Sequence, residues 1–144
     1  MSERFVLRGK GRVPGIVEGE ALVSQDPLVW SHGVDPATGK IDDVRVALNG
    51  VCIKGKILVY PYGKGSTASS SWMLETTRCG NNPLAILNRK TELIIIAGAV
   101  LSDVLYQKQI PIVDLLDQNP DEVIRTGDWV IVDGNQGTVE IIRK

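Results

Sequence analysis

Lys56-Ile57-Leu58-Val59-Tyr60, followed by Pro61-Tyr62-Gly63-Lys64-Gly65-Ser66-Thr67-Ala68 and then by Ser69-Ser70-Ser71-Trp72-Met73-Leu74-Glu75-Thr76-Thr77-Arg78, is the run that decides the fold. Its first five residues read as a short apolar strand that Pro61 stops. The period then changes. Trp72, Met73, Thr76 and Thr77 fall at helical spacing, and Gly80 with Asn81 supplies a stop, so a helix of about three turns is predicted over 69–78. Leu84 to Leu87 reads as a second buried strand, which completes a strand, helix, strand unit.

Outward from this centre the pattern stays β-rich. Leu93 to Tyr106 opens on β-branched residues, but Ala97, Val100, Leu101, Val104 and Leu105 lie on one helix face, so a helix is expected from about 97. Ile110-Pro111-Ile112-Val113 reads as a short strand, and Asp128 to Asp133 with Thr138 to Ile142 as a hairpin around Gly134-Asn135-Gln136-Gly137. Toward the other end, Phe5 to Leu7 and Glu18 to Ser24 read as strands that could pair early with each other. Asp26 to Gly50 is dominated by turn chemistry, notably Asp35-Pro36-Ala37-Thr38-Gly39, and is predicted to be a long ordered loop. The expected architecture is a β-rich, layered α/β fold with two main helices, one domain over 1–144.

Composition supports strands and excludes several functions. Val and Ile number 31 in 144 residues while aromatics make up only 5%, so the core is built from branched aliphatics. The net charge of -1, without a block of Lys or Arg, lacks the electrostatic footprint of a nucleic-acid or anionic-membrane binder. One histidine, His32, and two cysteines, Cys52 and Cys79, cannot supply the three or four ligands of an internal zinc or iron-sulfur site. The start of the chain shows no signal-peptide pattern, and the longest apolar run, Leu93 to Leu101, is 9 residues; a cytoplasmic protein with reduced thiols is expected.

Chemistry is most concentrated at Gly63 to Ser71. Glycine lets the backbone approach a ligand, a helix start carries about half a positive charge, and Lys64 adds a full one, which together suit a phosphate or carboxylate. Gly65 interrupts the Gly-Lys-Ser order of a Walker A loop, and no glycine stands two places after the serine as in a nucleophile elbow. The plainer reading makes Ser66 or Ser69 an N-cap and Lys64 a solvated side chain. Asp35 is a turn former in a loop of the kind that also carries ligand residues, and Arg78 either faces the helix dipole or meets an anion. His32 and Cys79 have no second group placed by sequence to activate them.

Gly15-Ile16-Val17-Glu18-Gly19-Glu20-Ala21-Leu22-Val23-Ser24, Gly33-Val34-Asp35-Pro36-Ala37-Thr38-Gly39, Gly55-Lys56-Ile57-Leu58-Val59, the Gly63 to Ser71 turn and Gly127-Asp128 through Gly137 together resemble the small subunit, or swivel domain, of the aconitase X hydro-lyases. The resemblance runs nearly the length of the chain. It implies a swivelling β/β/α domain that binds no cofactor itself and works with a large catalytic subunit carrying an iron-sulfur cluster. It further implies dehydration of a small hydroxy acid, with Ser66 removing the proton next to the departing hydroxyl. The helix start, the Gly65 and Thr67 amides and Lys64 would stabilise a serine alkoxide or hold a substrate carboxylate, with Ser69 and Asp35 as further substrate contacts.

Members of the family dehydrate cis-3-hydroxy-L-proline or mevalonate 5-phosphate. Ser69-Ser70-Ser71, Leu74-Glu75, Arg78-Cys79-Gly80 and Leu105-Tyr106 resemble the bacterial group, whereas Gly63 to Thr67 and Ile112-Val113-Asp114 resemble the archaeal one. Ser31-His32 stands where a Gly-Gly pair more often precedes Val-Asp-Pro. The segment Gly127 to Gly134 also resembles swivelling phosphohistidine carriers, but those need a histidine where this chain has Ser66 to Ser71. A non-catalytic binding module is the third reading.

Overall fold

Residues 3–144 are described by a computed structural model. Along the chain come β1 (Glu3–Arg8), β2 (Lys10–Val13), β3 (Ile16–Val23), β4 (Ile57–Val59), α1 (Ser69–Arg78), β5 (Ala85–Leu87), α2 (Leu93–Tyr106), β6 (Ile112–Asp114), α3 (Pro120–Val123), β7 (Trp129–Asp133) and β8 (Thr138–Arg143). The strands form one sheet in the order β1-β8-β7-β3-β4-β5-β6-β2. Since β1 and β2 are joined only through Gly9, its two edges meet in sequence and the sheet curls nearly into a barrel.

The parallel part, β3-β4-β5-β6, is built by α1 crossing from β4 to β5 and α2 from β5 to β6. The antiparallel part runs β1-β8-β7-β3. Period-two alternation sorts the side chains between two cores. Ala21, Ile57, Val59, Ala85, Leu87 and Val113 turn inward against Val130, Val132, Val139 and Ile141 of the antiparallel part. Leu58, Ile86 and Ile112 turn outward and meet Met73, Ile95 and Ala99 of the helices with Trp30 and Tyr60. The result is a layering of sheet, sheet and helices, as expected.

Helix α1 occupies the span its periodicity predicts and buries Met73, Thr76 and Thr77. Gly80, at φ 76°, ends it: the Gly80 amide donates to Thr77 O at 2.9 Å and the Asn81 amide to Thr76 O at 3.0 Å, a Schellman stop. Helix α2 lies close against α1 because Gly98 leaves no side chain there; a Cβ would sit 2.9 Å from Met73 Sδ. The Thr77 and Ser102 hydroxyls, 3.1 Å apart, join the two helices in the buried seam. Among the described residues, no helix is long and apolar enough to cross a membrane.

Three expectations are corrected. α2 begins at Leu93 and not near 97, since Ile95 is needed in the core and tertiary packing outweighs the strand preference of Ile94-Ile95-Ile96. Phe5 to Leu7 and Glu18 to Ser24 do not pair with each other: β1 takes β8, and β3 takes β7 and β4, with the short β2 between them in sequence. Neither Ser66 nor Ser69 caps α1, because Ala68 holds the N-cap position in a helical conformation without a side-chain bond.

Candidate active site

Because β3, β4 and β5 are parallel, their carboxyl ends open on one edge, where the connections after each strand meet. The chain after β4 is pinned on both sides. Leu28 and Gly63 form a parallel bridge, the Lys64 amide donates to Leu28 O at 3.0 Å, and the Arg89 amide donates to Pro61 O at 2.9 Å. The Trp30 indole N–H donates to the Tyr60 hydroxyl at 3.3 Å, both residues being buried, and burial pushes the Tyr60 phenol up to about 12. Behind the edge, Arg12 Nε donates to Asp114 Oδ1 at 2.7 Å, the Thr91 amide to Asp114 Oδ2 at 2.8 Å, Thr91 Oγ1 to Asn88 Oδ1 at 3.2 Å, and Asn88 Nδ2 to Tyr60 O at 3.0 Å.

From this fixed base the turn rises into solvent. Lys64, Gly65 and Thr67 are exposed and Ser66 is half-buried; Gly65, Ser66 and Thr67 line a shallow depression with Ile94 of α2. The Ser69 amide donates to Ser66 O at 3.1 Å, which ties the turn to the first residue of α1. The Lys64 charge is felt at Asp43, whose carboxyl Arg45 chiefly, and Lys64 more weakly, hold below the usual range. Four of the residues that the sequence nominates therefore stand together just ahead of the first residue of α1.

The remaining nominated residues are placed elsewhere. Ser69 is 2% exposed at the start of α1, so it is walled off within this chain. The Asp35 carboxylate accepts the Ala37 amide at 3.0 Å to close its own turn and lines a separate depression with Thr38, Lys40 and Asn49. Its neighbour Pro36 does approach α1, bordering a hollow with Ser71, Trp72 and Glu75, and the His32 ring lies 4.6 Å from that of Trp72. Arg78 is bound to Glu75, with Nε 2.8 Å from Oε1, and with the exposed Cys79 it sits at the far end of α1 from Ser66. No group of three or more His, Cys, Asp or Glu side chains among the described residues is placed to hold a metal ion.

Sequence reasoning missed Glu92. Its carboxylate occupies the space that a side chain on Gly63 would take and lies beside the place of one on Gly65, and burial pushes its carboxyl above the usual range. The signal was hidden because Glu92 joins the turn only once α2 begins at Leu93.

A glycine-rich turn between a parallel strand and a helix, backed by an antiparallel sheet and covered by two helices on one side, defines a swivel-type β/β/α domain. A sequence profile of the aconitase X swivel domain matches residues 6–141. The phosphomevalonate dehydratase small subunit of Methanosarcina acetivorans is 42% identical over 137 residues, covering 95% of this chain and 91% of that protein. The phosphomevalonate dehydratase small subunit of Pyrococcus furiosus is 40% identical over 136 residues, covering 94% and 95%. The crystal structure of Thermococcus kodakaraensis aconitase X in its holo-form superposes with a TM-score of 0.86 at 40% identity, covering 95% of this chain and 98% of that one. The chain belongs to the aconitase X swivel domain family and is a hydro-lyase subunit.

Proposed function

We propose that the chain is the small subunit of a phosphomevalonate dehydratase, which closes the Gly63 to Ser71 turn over mevalonate 5-phosphate held by a large subunit. The identity of about 40% to small subunits of that name, over more than nine-tenths of the chain, supports this substrate above cis-3-hydroxy-L-proline. The observation that carries the reading is the turn itself: Gly65, Ser66 and Thr67 border a shallow, open depression and Lys64 is exposed beside them, so this chain offers chemical groups that a second chain would have to enclose.

In this reading Ser66 acts as the base. The C–H bond on the carbon beside the one bearing the hydroxyl breaks, its proton passes to the Ser66 oxygen, its electron pair forms the carbon–carbon double bond, and the hydroxyl leaves and takes up a proton from solvent to give water, while Ser66 returns its proton to solvent. A free serine is far too weak a base. The helix start, the Gly65 and Thr67 amides and Lys64 hold its deprotonated form. An iron-sulfur cluster on the large subunit would act as the Lewis acid toward the departing hydroxyl.

The test is co-purification of the chain with its large subunit, followed by assay of both substrates. Water loss from mevalonate 5-phosphate by the complex and by neither chain alone is the expected result. Turnover of cis-3-hydroxy-L-proline instead overturns the substrate assignment, and failure of the two chains to associate overturns the assembly.

A further inference from the structure

Two glycines of the Ser66 turn have no conformational reason to be glycine. Neither Gly63 nor Gly65 is among the positive-φ residues of the chain, so side chains are compatible with the backbone at both places. The obstacle in both cases is one carboxylate. A Cβ on Gly63 would overlap Glu92 Oε1, with Leu28 O next at an ordinary 3.5 Å, and a Cβ on Gly65 would lie 3.1 Å from Glu92 Oε2 with nothing else within 4 Å.

Glu92 is delivered there by a rigid support. It stands at the N-cap of α2, and the Ile95 and Ile96 amides donate to its carbonyl at 3.1 and 3.2 Å. The preceding Thr91 is fixed to Asp114 and Asn88. The carboxylate makes no cap bond, and burial without a compensating donor raises its pKa, so the group is kept against the turn at a cost in hydration.

We propose that Glu92 is the positioning residue of the Ser66 turn: its carboxylate, packed into the space that a side chain at Gly63 would take and beside that of Gly65, fixes the peptide units that carry Ser66. The inference rests on the reading of Ser66 as the base. Glu92 acts through the backbone and touches no reacting atom, so shape matters more than charge.

Gly63→Ala is the sharpest probe, because the new methyl expels the carboxylate without removing it. In the complex with the large subunit, assayed on mevalonate 5-phosphate, Glu92→Ala and Gly63→Ala should each lower kcat by about ten- to a hundredfold with little change in KM. Glu92→Gln, which fills the same space, should restore most of the rate. The double variant Gly63→Ala with Glu92→Ala should be no slower than Glu92→Ala, since the methyl then has room. Independently of turnover, hydrogen exchange of amides 63–67 in the full chain should quicken in Glu92→Ala and Gly63→Ala and stay slow in Glu92→Gln. Unchanged kcat and exchange in Glu92→Ala, or losses that multiply in the double variant, overturn the proposal even where Ser66→Ala is inactive. If Ser66→Ala keeps its activity, the failure belongs to the assignment of Ser66, which the exchange measurement does not depend on.

Discussion

His32 holds a left-handed backbone at φ 62° while its ring lies 4.6 Å from that of Trp72, so the 30–39 loop rests on the first half of α1 through a residue in a conformation that glycine takes freely. Histidine at this position bears the backbone strain and gains an aromatic contact with Trp72. His32→Ala keeps the strain and loses the contact, whereas His32→Gly loses both. Denaturant midpoints should therefore place His32→Gly above His32→Ala by about 0.5–1 kcal/mol. The reverse order contradicts the role given to the backbone.

The Trp30 to Tyr60 hydrogen bond fastens the same long loop to the strand before the Ser66 turn. Tyr60→Phe leaves the buried indole N–H without an acceptor and should cost about 1–3 kcal/mol by urea unfolding. A cost near zero means that the bond is not made in solution.

Two carboxyls should give stability opposite pH dependences. Burial alone would raise the Asp128 carboxyl, but hydrogen bonds from Arg143 and from the Arg125 amide outweigh it and hold it below its ordinary value. A depressed folded pKa stabilises above the unfolded value and is lost as pH falls through the folded one. Asp128→Asn should thus lower Tm at pH 7, and the gap from wild type should close below about pH 4. Glu92 is raised by burial, so its ionised form is penalised once pH rises through the folded pKa. Glu92→Gln should be more stable than wild type at pH 7, with the difference gone below about pH 4. Melting curves across pH check both signs.

If the turn closes over a site on another chain, association should bury it. Hydrogen exchange should show residues 63–71 and 30–39 protected on adding the large subunit, since both border the start of α1. Protection confined to the face of α3 argues for a different assembly.

The fold was readable wherever a local signal was strong and uncontested. Trp72, Met73, Thr76 and Thr77 announce α1, and Gly80 ends it. At α2 the local signal pointed the wrong way, because Ile94-Ile95-Ile96 favours a strand until the core claims Ile95. The partner of β1 is β8, at the other end of the chain, a pairing with no short-range trace. The site divides likewise: Lys64 to Thr67 are contiguous and were found together, while Ser69 and Asp35 were nominated by proximity and type, which burial and a local turn redirect. Glu92 became visible only when the parallel strands brought two connections to one edge.

In the proposed mechanism Ser66 is the base that this chain brings to a partner's site. The most direct measurement is the turnover of mevalonate 5-phosphate by the two-subunit complex carrying Ser66→Ala, with Ser69→Ala in parallel. Since Ser66 caps no helix, its removal should leave folding and association intact while kcat falls by at least about 10²- to 10⁴-fold. Ser69 is buried at the start of α1, so Ser69→Ala should keep most of the rate. Nearly full activity for Ser66→Ala with collapse for Ser69→Ala would rule out Ser66 as the base and move the chemistry to the other serine.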